Sequence, residues 1–231
     1  MARFGSYFPE QAHDFEVKSS AFLLPISLSP TVYPRRFRKP QRTMNPKETL
    51  RPGDALLIVD VQNDFCPGGA LPIPEGDQVI PPLNEWIAAA EEAGIPVYAS
   101  RDWHPRGHPS FVEEGGEWPV HCLQDSEGAA FHPDLRLPAD TVVVTKGTRF
   151  DQDQYSAFDQ TGLHERLRKD GIRRLWTGGL AQDVCVCATA LDARKLGYDV
   201  TLIPGGSLPV TREGGEDALR RMREAGVGVR G

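Results

Sequence analysis

Ala55-Leu-Leu-Ile-Val59, followed at once by Asp60, decides the fold. Five consecutive apolar residues leave no polar face, so a strand built from them is buried on both sides, as in a parallel sheet covered by helices. Downstream, residues 81–93 place Leu83, Trp86, Ile87 and Ala90 on one helical face. Pro81 and Pro82 fall in the first turn, where a missing N–H does no harm, and Gly94 follows the end. Residues 96–100 and 141–145 read as the second and third strands. A helix over 159–170 precedes a fourth strand at 173–177, and a helix over 183–196 precedes a fifth at 200–203. A last helix over 216–225 leads to a short strand at 227–229. The alternation predicts a three-layer α/β/α sandwich with a mainly parallel, doubly wound, Rossmann-like sheet of about six strands.

Composition fits this class. Of 231 residues 39% are hydrophobic and 25% charged, and a chain of that size buries most of its surface without disulfides. Four cysteines are too few for a disulfide scaffold, and Cys185 and Cys187 are too close for an ordinary bridge. Reduced thiols in the cytoplasm are the expectation. No stretch approaches the ~20 apolar residues of a membrane span, so no membrane is expected as a partner. A net charge of −6 argues against nucleic acid. Residues 1–43 differ from the rest, with seven Lys/Arg against three Asp/Glu, five prolines and no sustained hydrophobic period. They read as a disordered basic leader to a domain spanning 44–231. The run Pro34-Arg-Arg-Phe-Arg-Lys-Pro40 as a targeting or anion-binding patch, and Met44 as the true start, are the alternatives.

Ligands of such sheets bind beyond the carboxyl ends of the strands. Asp60 follows the first strand, Arg101-Asp-Trp-His-Pro105 the second, Lys146 the third, and Gly178-Gly-Leu-Ala-Gln-Asp-Val-Cys185 the fourth. One rim therefore receives a carboxylate, an Asp-x-His pair, a lysine and a cysteine. Cys185 falls in the first turn of a helix, where the partial positive charge lowers a thiol pKa and free N–H groups can hold an oxyanion. Alone it reads more readily as a small buried apolar residue. Asp60 as general base and Lys146 as its counter-charge strengthen the catalytic reading, with Asp64 as the rival carboxylate. Cys187, two residues on, points away and reads as packing.

Asp102, His104, His108 and His121 supply donors suited to zinc, iron or manganese rather than calcium. Three of the six histidines fall between positions 104 and 121, a density that favours a metal over a loop of solvated histidines.

Together these segments resemble the nicotinamidases, within the isochorismatase-like cysteine hydrolases. The matching stretches are Val59-Asp-Val-Gln-Asn-Asp-Phe-Cys-Pro-Gly-Gly-Ala-Leu71, Arg101-Asp-Trp-His-Pro105, His108-Pro-Ser-Phe111, Trp118-Pro-Val-His-Cys122, Lys146-Gly147, Tyr155-Ser-Ala-Phe158 and Gly179-Leu-Ala-Gln-Asp-Val-Cys-Val186. They lie in family order across residues 54–211. The resemblance implies a catalytic triad of Asp60, Lys146 and Cys185. It also implies an oxyanion hole from the N–H groups of Ala181 and Cys185, and a cis peptide between Leu180 and Ala181. It implies one divalent metal ion, zinc first with iron or manganese as alternatives, on Asp102, His104 and His121. His108 aligns with a histidine that ligates in some members only. Phe65, Trp118, Tyr155 and Leu180 would line the pocket.

The implied reaction is hydrolysis of nicotinamide to nicotinate and ammonia through a thioester, a step of NAD salvage, with pyrazinamide open to the same chemistry. Gln182 and Val184 depart from the Thr and the Tyr or His common in the family, and both bear on the rim and the substrate range. Other amide or ureido hydrolases of the family generally lack the Asp-x-His and distal His set. An inactive ligand-binding paralogue would have no need of Asp60, Lys146 and Cys185 together. A homo-oligomer is left open by the sequence.

Overall fold

The computed structural model describes residues 44–229. The leader expected at 1–43 lies outside the described residues. Five strands form one parallel sheet: β1 (Asp54–Val59), β2 (Val97–Asp102), β3 (Val142–Lys146), β4 (Arg174–Gly179) and β5 (Asp199–Ser207), in the spatial order β3-β2-β1-β4-β5. All four ladders are parallel, with Leu57 of β1 aligned to Tyr98 on one side and Thr177 on the other. The chain winds outward from β1 in both directions, so the order reverses between β1 and β4. That reversal opens the crevice in which α/β sheets bind ligands.

Every residue of β1 is buried, as its apolar run requires. Leu56 and Ile58 face one core with α2 (Ile80–Glu92), through Leu83, Trp86, Ile87 and Ala90. Ala55, Leu57 and Val59 face a second core. There α3 (Leu163–Lys169) contributes Leu163 and Leu167, α4 (Cys187–Lys195) contributes Cys187 and Ala190, and α5 (Arg212–Glu224) contributes Ala218 and Met222. A single turn, α1 (Pro46–Thr49), packs near α2. The strand's period of two thus feeds two separate cores, which makes the sandwich three-layered.

The sheet has five strands rather than about six. Among the described residues, 227–229 contribute one parallel bridge, Thr201 to Gly228. The helix expected at 159–170 starts only at Leu163. Residues 157–161 form a turn instead, in which the Ala157 N–H donates to Thr189 Oγ1 (3.0 Å) and the Thr161 hydroxyl to the Ala157 carbonyl (2.5 Å). The last helix starts earlier than expected, at Arg212. Thr211 caps it by accepting from the Gly214 N–H (3.0 Å), while Gly214 and Gly215 masked the pattern. Among the described residues no helix is long and apolar enough to cross a membrane.

Candidate active site

The strand ends place the site. After Val59 the backbone turns at Asp60, whose φ of 49° lies in the left-handed region, and the fully buried side chain is thrown under the neighbouring strands. Non-glycine residues persist in that region where the surrounding structure holds them, as at functional sites. Here Ser100 of β2 holds the carboxylate, its hydroxyl donating to Oδ1 at 2.7 Å. Lys146, the last residue of β3, is also fully buried. Its Nζ lies 2.9 Å from Asp60 Oδ2, 2.5 Å from Asp102 Oδ1, 3.2 Å from the Gln154 carbonyl and 3.5 Å from Cys185 Sγ.

Cys185 reaches this cluster because the chain after β4 reverses tightly. Gly179 has φ 133°, and a Cβ there would meet the Val59 carbonyl oxygen at 1.9 Å, so only glycine lets the end of β4 approach β1. The Leu180–Ala181 peptide is cis. A π-helical turn over Gln182–Val186 follows, and α4 begins only at Cys187, not at 183. In that turn the Ala181 carbonyl accepts from the N–H groups of Val184 (3.2 Å) and Val186 (3.1 Å), while the Gln182 N–H goes to the Leu208 carbonyl (2.8 Å). The donor atoms of Asp60, Asp102 and Cys185 come within 4.8 Å of one another.

Burial dominates the electrostatics. It pushes the Cys185 thiol well above its ordinary pKa, Lys146 opposing and Asp60 and Asp102 adding to the rise. The helix-terminus argument from sequence, a lowered thiol pKa, is therefore reversed: at rest Cys185 is a thiol and needs a base. Burial likewise raises the Asp60 carboxyl against the pull of Lys146, which makes it a stronger base. For Lys146 burial acts to lower the pKa, but Asp102, Asp60 and Cys185 outweigh it and hold the ammonium charged.

Asp102, His104 and His121 are each about nine-tenths buried or more, with donor atoms within 4.8 Å of one another. His104 Nδ1 lies 2.9 Å from the Gly147 carbonyl and His121 Nδ1 lies 2.7 Å from the Pro119 carbonyl. A carbonyl can only accept, so both Nδ1 atoms carry a proton and Nε2 is the nitrogen turned to the cavity side. Burial also holds His104 at a pKa of about 4, hence neutral. Two imidazoles and a carboxylate form a donor set that fits zinc, iron or manganese. His108 is fully buried, with Nδ1 2.7 Å from Ser110 Oγ.

The cavity beside these groups is lined by Phe65, Trp118 and Tyr155, by Asp102, His104 and His121, and by Ala181 and Cys185. Trp118 Nε1–H donates to the Tyr155 hydroxyl at 3.0 Å. Leu180 does not line the cavity: it is fully buried in the α2-side core, close to Gly76 and Ile73. Its neighbour Ala181 presents to the cavity instead. Leu71, Ile73, Val210 and Asp153 also line the wall, positions that carry no pocket signal in the sequence, and Val184 lies at the rim.

Two residues of the first motif play positioning parts. The fully buried Gln62 accepts from the Asp102 N–H through Oε1 (2.8 Å) and donates through Nε2 to the carbonyls of Asp102 and Ala129 (both 2.8 Å). Asp64, the rival carboxylate, is committed to the N–H groups of Cys122 (2.7 Å) and Ala70 (3.0 Å), so it braces the loops that carry His121 and Leu71. Cys187 packs in the second core.

Residues 54–231 match the Isochorismatase domain family. The chain is 40% identical over 199 residues to the nicotinamidase of Escherichia coli (strain K12), covering 77% of this chain and 93% of the relative. It superposes on a crystal structure of the pyrazinamidase of Pyrococcus horikoshii in complex with zinc, with a TM-score of 0.75 and 45% identity, over 78% of this chain and 99% of that one. For PnC1 from L. infantum in complex with nicotinate the TM-score is 0.71 at 37% identity, over 77% and 91% of the two chains. The chain belongs to the isochorismatase family. Within that family it groups with the nicotinamidase hydrolases.

Proposed function

We propose that the protein hydrolyses nicotinamide to nicotinate and ammonia by cysteine chemistry, and pyrazinamide by the same route. The observation that carries this reading is the convergence of Asp60, Lys146 and Cys185 in one buried cluster at the wall of a cavity that the aromatic residues Phe65, Trp118 and Tyr155 also line. Asp60 takes the Cys185 thiol proton and the sulfur attacks the carboxamide carbon. The oxyanion is held by the N–H groups of Ala181 and Cys185, each such donor worth about 3 kcal/mol in the transition state. Protonated Asp60 then gives its proton to the departing amine, and ammonia leaves a thioester on Cys185. Water, deprotonated by Asp60, attacks the thioester, expels the thiol and releases the carboxylate. Lys146 keeps Asp60 ionised and oriented, and Asp102 anchors Lys146 in turn.

Asp102, His104 and His121 would hold one divalent ion, zinc first. When bound, it supplies an electrophilic anchor for the ring nitrogen of the substrate. Phe65, Trp118 and Tyr155 orient the ring against it. The four free cysteines suit a reducing compartment, and we place the enzyme in the cytoplasm, in NAD salvage.

The test is ammonia release from nicotinamide by the purified chain, before and after chelation. Activity lost on chelation and restored by zinc, iron or manganese supports both parts of the reading. Activity that survives chelation keeps the cysteine chemistry and removes the ion's role. Near wild-type turnover by Cys185→Ala would sink the scheme.

A further inference from the structure

Among the described residues, two groups of donor side chains share His104. One is Asp102, His104 and His121; the other is His104, His108 and Asp153, whose donor atoms also lie within 4.8 Å of one another. In both groups His104 is the shared residue, its Nδ1 lying 2.9 Å from the Gly147 carbonyl. Asp153 is half-buried and lines the same cavity as Asp102, His104 and His121. Its Oδ1 accepts from the Gln154 N–H at 2.8 Å, and the Tyr155 hydroxyl is a further hydrogen-bond partner of the carboxylate. No ion pair among the described residues includes Asp153, and Arg149, four residues before it, is taken by Asp151 and Asp159. His108 is fully buried, with its ring placed between Ser110 Oγ and the Arg149 backbone.

The charges point the same way. Lys146 is the ammonium that Asp60 and Asp102 share. With Asp153 there are three carboxylates against that one ammonium, an excess equal to the charge of one divalent ion.

We propose that Asp153 is a further residue of the metal site, adding a second carboxylate beside the ion that Asp102, His104 and His121 hold. This rests on the reading that the cavity takes a divalent ion. Asp153 then strengthens ion binding, and His108 completes the polar lining on its side.

The test is calorimetric titration of Zn²⁺ into the full chain stripped of metal, for wild type, Asp153→Asn and Asp153→Glu. The Asn variant keeps the oxygen that accepts from Gln154, so the loop stays folded, and the melting temperature of the metal-free protein checks this. Loss of a partner in the outer part of a metal site costs about 10–100-fold in affinity, so Asp153→Asn should weaken zinc binding at least tenfold. Asp153→Glu should regain most of it. A Kd for Asp153→Asn within twofold of wild type overturns the proposal while leaving the metal reading in place. If wild type itself takes up no zinc, the metal reading fails and this inference fails with it.

Discussion

Lys146 Nζ sits 2.9 Å from Asp60 Oδ2, with both side chains fully out of water. The ion pairs on α5, such as Arg212 with Glu216 and Arg220 with Glu224, are exposed and worth little each. The buried pair is different: removing one partner leaves an uncompensated charge, a loss of about 3–5 kcal/mol. Lys146→Met should therefore unfold at lower urea and lose ammonia release. Adding Asp60→Asn to it should recover part of the stability and none of the turnover. Urea midpoints of the two single variants and the double variant measure this coupling, and simple additivity of the losses would contradict it.

The Cys185 thiol gives a pH prediction. Burial, joined by Asp60 and Asp102 and opposed by Lys146, holds it well above its ordinary 9.0. The folded pKa exceeds the unfolded one, so the protonated thiol favours the fold. That contribution is whole below the unfolded value and is lost as pH rises through the folded value. In substrate-free protein, iodoacetamide labelling of Cys185 should climb steadily from about pH 7 to about pH 9. Wild type should also lose stability relative to Cys185→Ala as the solution becomes more alkaline than 9.0. A labelling rate already flat in mildly acidic buffer would mean a thiolate at rest.

Much of this was legible in the chain because strand ends in a parallel sheet are marked by where apolar runs stop. Asp60, Lys146 and the residues before Cys185 each follow such a run, and the structure brings their side chains together. Side-chain direction and burial were not legible. Leu180 sits beside Ala181 in sequence but turns into the core, and nothing in the spacing tells which of the two meets the cavity. The thiol's helix-terminus position suggested a lowered pKa, yet full desolvation outweighs it, and burial is a three-dimensional property. Asp153 has no periodicity to mark it, since it lies in the loop between β3 and α3 and meets His104 and His108 only once the loop folds back.

Gln62 lies inside the first motif, where its residue type alone assigns it no part, and its three hydrogen bonds give it one. It carries the contact between β1 and β2 past the point where Asp60 leaves the ladder, holding both the N–H and the carbonyl of Asp102. Gln62→Ala would leave those groups and the Ala129 carbonyl buried without partners. We expect a loss of about 3 kcal/mol, a fall in Tm of roughly 6–12 °C. Gln62→Glu cannot donate to the two carbonyls and should not rescue it. Zinc affinity should fall in both, since Asp102 loses its alignment, whereas a destabilised variant with wild-type zinc affinity would make Gln62 structural only.

Gly147 tests the proposed metal site from its backbone side. Its φ of 71° is a conformation that side chains resist, and a Cβ there would lie 2.5 Å from His104 Cε1 and 3.2 Å from Asp102 Oδ1. The same residue's carbonyl fixes the His104 tautomer. Gly147→Ala must therefore push the imidazole away from Asp102 and His121 or move the carbonyl that orients it. The left-handed backbone alone costs about 1 kcal/mol or more for alanine, so a modest drop in Tm is expected. The decisive readout is zinc binding, which should weaken by at least an order of magnitude, beyond what the Tm shift explains. Gly162 supplies the control: it has a similar φ of 78°, and a Cβ there would meet nothing within 4 Å, so Gly162→Ala should show the backbone cost with unchanged zinc affinity. Equal zinc affinity in the two alanine variants would dissociate Gly147 from the metal site.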